Sequence, residues 1–289
     1  MIFAMVGVNH KSLYIMKKYI LLLFAAAALA ACDDDENWSV SQPALDAFEV
    51  QYPTAQDVQW MRWRGYYVAD FNQSVESLPT DNLAWYDGSG VWYLTQSDIP
   101  FALLPKPVSD AFAASEYSAW QVEDVESAER ADIPTVYTIE CEGAYNDMLL
   151  YYTADGLFIK AIDSSIDPIV VPLRLDGSIK NFLNRYYSGA TILNVALYGY
   201  NTVVDILDED VVRELLFNGR GYWVMTQSRI APDELPAAVV QAIASSQYAS
   251  WQVEAASLID TNSGSYYQVK LDGGKNEVVL RISLSGQII

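Results

Sequence analysis

The side chains that could carry out chemistry in this chain are few and poorly placed for it. The only histidine is His10, near the N-terminus, and the only cysteines are Cys32 and Cys141. A Ser-His-Asp or Cys-His relay needs an imidazole as base, and the usual zinc sites need His and Cys in groups, so neither chemistry has its components here. Cys141 ends the run Val136-Tyr137-Thr138-Ile139-Glu140-Cys141, in which Tyr137, Ile139 and Cys141 alternate onto one strand face. That pattern predicts a buried, inert thiol rather than a nucleophile. Carboxylates are abundant, and a pair of them could hydrolyse a glycosidic bond, but no spacing singles out a pair. Asp260-Thr261-Asn262-Ser263-Gly264 has the composition of a calcium loop, yet Leu271 stands where a bidentate Glu is needed, so a polar hairpin loop is the reading. Asp208-Glu209-Asp210 reads as the acidic opening of a short helix. No glycine-rich phosphate loop occurs. The chain reads as a non-enzyme without metal or cofactor, with a carboxylate-dependent hydrolase as the remote alternative.

Cys32 offers a different chemistry. Met16-Lys17-Lys18 is a short basic segment, Tyr19 to Ala28 is an apolar run, and Leu29-Ala30-Ala31-Cys32 closes it with small residues. A basic start, an apolar run too short to span a bilayer and a small-residue cut site describe a secretory signal. The final Cys makes it resemble a bacterial lipobox, whose thiol takes a diacylglycerol before cleavage and then heads the mature chain. Residues 1–31 are read as a lipoprotein signal peptide, with 1–15 as an upstream extension, and 32–40 as an acidic tether. Asp33-Asp34-Asp35-Glu36 resembles a signal for display on the outer face of the outer membrane; a solvated spacer holding the domain off an anionic surface explains it equally. The expected location is the outer membrane, on its periplasmic face or at the cell surface, with the membrane held through the lipid on Cys32.

The formal net charge is −20, and the leader holds Lys11, Lys17 and Lys18 but no acid, so the mature chain is more negative still. This argues against nucleic acid or an anionic lipid surface as partner. It is compatible with a basic protein partner, with divalent cations, or with solubility alone.

The elements that would position any site come from a duplication. Tyr117-Ser118-Ala119-Trp120-Gln121-Val122-Glu123 returns as Tyr248-Ala249-Ser250-Trp251-Gln252-Val253-Glu254, and one shift carries Gly90, Trp92, Thr95 and Leu104-Pro105 onto Gly221, Trp223, Thr226 and Leu235-Pro236. Residues 41–166 form the first copy and 167–289 the second, divergent one. The spacing of Leu45, Phe48 and Tyr52 and of Ile179, Phe182, Leu183 and Tyr186 predicts helices, and a second pair begins after Leu104-Pro105 and Leu235-Pro236. Their stripes, Val108, Ala111, Phe112 and Val239, Ala242, Ile243, superpose. Tyr66–Phe71, Val203–Ile206, and the hairpins around Asp87–Gly90, Phe217–Trp223, Asp155-Gly156, Asp272–Gly274 and Ser285-Gly286 supply strands. A weaker inner repeat reads within each copy. Helix, strands, helix, strands is the α+β class: tandem modules of antiparallel sheet with helices packed on one face. Ser164-Ser165, Pro168 and Pro172 mark the joint, and 38–166 is expected to fold alone.

The order Phe48, Tyr52-Pro53, Ala55, Val58, Trp60, then Trp85-Tyr86-Asp87-Gly88, Gly90, Trp92, then Leu104-Pro105, Val108 and Tyr117, Trp120, Val122 resembles the PepSY-like family. These exported proteins are also described as similar to the beta-lactamase inhibitor protein. In the second copy Val195 stands where Trp60 would fall and Gly189 replaces the Pro-Thr pair. The resemblance implies small modules with helices on one face of a curved antiparallel sheet, and an inhibitory or protein-binding role. Inhibition of a beta-lactamase does not carry over, because no matching inhibitory loop is present.

Aromatic residues are the nearest thing to a site. In Tyr66-Tyr67 and Trp85-Tyr86, strand alternation sends the two rings to opposite faces, so some rings must line the face away from the helices. Trp63, Tyr66, Trp85 and Tyr86 are the candidate binding residues, and the repeated Trp120 and Trp251 belong to the core. The reading is a lipid-anchored, non-catalytic envelope protein presenting a concave, aromatic-rich sheet for protein binding, with inhibition of the bound protein as one form of that role. A glycan- or peptide-binding surface lipoprotein, using the same rings for stacking, is the alternative.

Overall fold

The computed structural model describes residues 38–166, 170, 172, 175, 177–274 and 276–289. The signal, Cys32 and the acidic run after it lie outside the described residues, as does part of the joint between the copies.

In the first copy, α1 (Gln42–Gln51) leads into β1 (Gln56–Trp63), β2 (Tyr66–Val75), β3 (Leu78–Tyr86) and β4 (Trp92–Asp98). Then α2 (Lys106–Ala113) leads into β5 (Gln121–Arg130), β6 (Val136–Glu142), β7 (Met148–Thr153) and β8 (Phe158–Asp163). In the second copy, α3 (Gly177–Tyr186) precedes β9 (Thr191–Tyr198), β10 (Asn201–Asp208), β11 (Val211–Phe217) and β12 (Trp223–Ile230). Last, α4 (Ala237–Ala244) precedes β13 (Gln252–Thr261), β14 (Gly264–Asp272) and β15 (Glu277–Ser283). Each strand pairs antiparallel with the next, giving an eight-stranded sheet, β1–β8, and a seven-stranded sheet, β9–β15. The inner repeat is thus visible as four units, each a helix followed by strands.

Each helix buries a two-residue stripe one turn apart. Ala44 and Phe48 of α1 pack with Ala69, Phe71, Ala84 and Tyr86. Val108 and Phe112 of α2 pack with Val125, Ile139, Cys141, Leu150 and Tyr152. Ile179 and Leu183, then Val239 and Ile243, do the same in the second copy. Ser41 caps α1, its hydroxyl accepting from Ala44 N at 3.3 Å. Trp120 and Trp251 lie half-buried beside the α2 and α4 clusters.

Asp208-Glu209-Asp210 corrects the sequence reading: it opens no helix. Glu209 and Asp210 have φ of 49° and 64° and turn β10 into β11, and Asp208 accepts from Arg213 Nε at 3.1 Å. Two successive left-handed residues match the twist of a two-residue hairpin, and a helix cannot begin on them.

A hairpin glycine locks the start of the helix in three of the four units. Gly90, Gly156 and Gly286 have φ of +83°, +86° and +84°, and a Cβ there would lie 2.5, 2.5 and 2.7 Å from the carbonyl oxygens of Pro43, Pro107 and Ala238, each the second residue of its helix. The hairpin therefore both needs a left-handed residue and touches helix backbone. Gly65 isolates the first requirement, since it has φ +87° but open space around it. Gly65→Ala is expected to cost about 1 kcal/mol, and Gly90→Ala or Gly286→Ala about 2–4 kcal/mol, in urea denaturation. Equal losses at all three positions would mean that the helix contact contributes nothing.

Candidate functional site

Alternation along β2 and β3 sends Tyr67, Ala69, Ala84 and Tyr86 toward α1, and Tyr66, Val68, Leu83 and Trp85 to the opposite face. Of the four candidate rings, Trp63, Tyr66 and Trp85 lie on that opposite face. Tyr86 does not. It is 0% exposed beneath α1, its hydroxyl donates to Gln51 Oε1 at 2.9 Å, and burial pushes its phenol far above the ordinary range. Only one of two adjacent strand residues can face a partner, and Trp85 takes that side, so Tyr86 is a core residue.

Trp85 is itself only 7% exposed, packed with Val68, Leu94 and Ala128. Met61, Trp63, Tyr66 and Leu83 surround this cluster half-buried, together with Val170 from the joint. Tyr66 Oη donates to the Pro172 carbonyl at 3.1 Å, and its ring meets Tyr93 edge-on at 5.3 Å. The Arg64 guanidinium sits 4.8 Å from the centre of the Trp63 ring. Trp63 and Tyr66 therefore form a partly exposed aromatic rim.

Away from the rim the face is acidic. Asp70 stands opposite Leu83, Asp81 opposite Asp98, and Asp98 opposite Glu126, so four strands contribute carboxylates to one surface. Gln96 Nε2 donates to Glu126 Oε2 at 3.2 Å. Partial burial, and then the like charge of Asp81, raise the Asp70 carboxyl above its ordinary value.

The remainder of this face is covered by the second sheet. Val136, Leu149, Tyr151 and Ile159 of the first sheet pack with Leu193 of β9, joined by half-buried Leu207 and Val212. Lys160 of β8 is central: its Nζ lies 2.9 Å from Asp205 and 2.8 Å from Glu214, with Asn194 Nδ2 donating to Asp205 Oδ2 at 3.1 Å. The rings of Tyr151 and Tyr198 stand 5.6 and 5.5 Å from the ammonium. The two carboxylates outweigh burial and hold Lys160 protonated, above the ordinary lysine range. Arg130 reaches from β5 to the edge strand β9, where Nη2 donates to the Val195 carbonyl at 3.2 Å while Nε and Nη1 find no partner. Burial lowers its pKa to about 10. The sequence reading missed Lys160, Asp205, Glu214 and Arg130, since nothing local to each names a partner dozens of residues away.

Cys141 is buried under α2, and burial, with Glu140 and Glu123 adding to it, pushes its thiol up to about 11. It is protonated and shielded at neutral pH. Asp260–Gly264 turns β13 into β14, with Thr261 Oγ1 donating to the Gly264 carbonyl at 2.8 Å. Among the described residues, no three His, Cys, Asp or Glu side chains gather as metal ligands, and no helix is long and apolar enough to cross a membrane.

The family model described as "Putative beta-lactamase-inhibitor-like, PepSY-like" matches residues 65–160 and 200–289. Among solved structures, the chain is similar to a BLIP-like protein from Bacteroides fragilis NCTC 9343, at 28% identity over 46% of this chain and 92% of that one, with a TM-score of 0.40. It is also similar to a DUF2874 family protein from Bacteroides uniformis ATCC 8492, at 29% identity over 45% of this chain and 93% of that one, with a TM-score of 0.39. No curated protein matches it.

The raised Asp70 carboxyl has a consequence for stability. Its ordinary value is 3.8, and a folded value above that means stability is greatest below 3.8 and falls as pH rises through the folded value. At neutral pH the charge therefore works against folding. Asp70→Asn should raise the melting temperature at neutral pH and leave it nearly unchanged in acid, where the carboxyl is already protonated. A lower melting temperature at neutral pH would show that Asp70 is stabilised by its surroundings instead.

Proposed function

Because this chain belongs to the PepSY-like, beta-lactamase-inhibitor-like family, we propose that it is a non-catalytic binding protein of the bacterial envelope. In this reading Cys32 carries the lipid anchor, the acidic tether spaces the domain from the membrane, and the ligand is a protein with a basic surface. The contact surface is the half of the first sheet left uncovered by the second, with Trp63 and Tyr66 as its rim and Asp70 and Asp81 as its floor.

The observation that carries this is the unfavourable state of the face in the free protein. Partial burial raises the Asp70 carboxyl and the nearby Asp81 charge adds to it, on a surface that also holds partly exposed rings. Electrostatic strain of this kind is retained where a partner relieves it. The absence of an imidazole after the leader and the inert Cys141 favour binding over catalysis. An interface built from aromatic anchors in an acidic field suits a basic protein better than a sugar, which needs rings but no net charge.

The test is capture of an envelope protein by the immobilised mature chain, read as a saturable, salt-sensitive complex. Trp63→Ala and Asp81→Asn should each weaken binding about tenfold or more while changing the melting temperature little. Trp85→Ala should instead cost about 3 kcal/mol or more of stability, because that ring is enclosed. Labelled fatty acid should reach the wild-type precursor and not Cys32→Ala. Binding indifferent to Trp63 and Asp81 would place the contact elsewhere.

A further inference from the structure

The two copies use the same positions on this face differently. The correspondence that carries Phe48, Trp60, Ala69 and Phe71 of the α1 cluster onto Leu183, Val195, Val204 and Ile206 of the α3 cluster also carries β1 onto β9 residue for residue. By it, Trp63 falls on Tyr198, Gln59 on Asn194 and Asp70 on Asp205. The strand pairing agrees, since Gln59 stands opposite Asp70 and Asn194 opposite Asp205. After the next turn Ala84 and Tyr86 fall on Leu215 and Phe217, and Leu83 falls on Glu214.

In the second copy these positions hold a cation. Lys160 lies against Asp205, with Tyr198 beside it and Asn194 bracing the carboxylate. In the first copy an aromatic ring, a carboxylate and an amide occupy the same places; among the described residues no strand of the second sheet lies over them, while Val170 and Pro172 of the joint pack against the Trp85 cluster and Tyr66 beside them. Leu83 replaces Glu214, while Asp81, whose charge adds to burial in raising the Asp70 carboxyl, brings a second carboxylate from β3.

We propose that Trp63, Gln59, Asp70 and Asp81 form a lysine-accepting cradle, filled by a lysine on an exposed strand of a partner protein as Lys160 of β8 fills its counterpart. This rests on the proposed binding role of the same face and names the chemistry of its occupant. A lysine there relieves the Asp70–Asp81 repulsion, and the Trp63 ring offers its face to the ammonium in place of Arg64. The flanking residues of such a strand are apolar, because half-buried Met61 and Leu83 border the cradle. Lys160 itself is followed by an alanine and an isoleucine and preceded by Ile159.

The probe is the protein's own cradle-filling hairpin, a cyclised peptide of residues 148–163, titrated against the full mature chain and read by tryptophan fluorescence and by the NMR shift of the Asp70 carboxyl carbon. The Lys160 peptide should bind at least about tenfold more tightly than the same peptide with norleucine at that position. Its advantage should vanish with Asp70→Asn, whose fold is verified by its melt, and shrink with Trp63→Leu. Binding should also pull the Asp70 pKa down toward the ordinary carboxylate range. No binding at millimolar peptide, or equal binding of the lysine and norleucine peptides, overturns the cradle. If envelope capture still depends on Trp63 and Asp81 in that case, the protein-binding reading survives and only the lysine assignment falls; if capture is indifferent to them as well, both fall.

Discussion

A buried ammonium with two carboxylates around it determines how the halves of this protein meet. Lys160 leaves water only because Asp205 and Glu214 wait on the other sheet, and neither sheet alone satisfies its own charges at that point. A buried cluster of this kind adds little net stability over an apolar contact of the same size, but removing one member leaves an uncompensated charge costing about 3–5 kcal/mol. Its contribution is therefore to select one stacking of the sheets over others. The apolar patch around Leu149, Tyr151 and Leu193 supplies area, and Lys160 supplies register. Everything else about the inner faces follows: β8 and β9, which would otherwise be open edges, lie within the contact, and the first half of the first sheet is left over.

The repeated and unrepeated residues divide along the same line. Trp92 and Trp223 donate through Nε1 to Thr95 and Thr226 at 2.8 and 2.9 Å, and these threonine hydroxyls also meet Tyr52 and Tyr187. The same buried polar knot thus ties helix to sheet in both copies, which is why these residues keep register in the sequence. On the other face the copies differ. The second copy spends Tyr198, Asp205 and Glu214 on the first sheet, whereas Trp63, Asp70 and Leu83 face no second sheet. Duplication supplied one surface twice, and packing consumed it once.

Much of the fold is legible locally. Helix stripes show as apolar residues three and four apart, hairpins show as Asp-Gly and Asn-Gly turns, and alternation correctly divides Trp85 from Tyr86. Alternation does not say which of the two faces the helix; Tyr86 goes under α1 because Ala84 and Phe71 lie on that side with it. Nor does it reveal whether the second face meets water. The partners of Lys160 are 45 and 54 residues away, on another sheet, and a lysine in a strand looks the same in sequence whether solvated or enclosed. The acidic run at Asp208 misleads for a related reason: acids favour helix starts, but two of them also tolerate the left-handed turn that the β10–β11 register imposes. Long-range electrostatics, not local pattern, decides the unread part.

The Lys160 cluster holds the two copies in register as one body. Differential scanning calorimetry of the mature chain, beside Lys160→Met, tests it directly. The wild type should show one cooperative transition, with calorimetric and van't Hoff enthalpies in agreement, and Lys160→Met two separated transitions as the copies uncouple. Two independent transitions in the wild type, unchanged by the substitution, would contradict it.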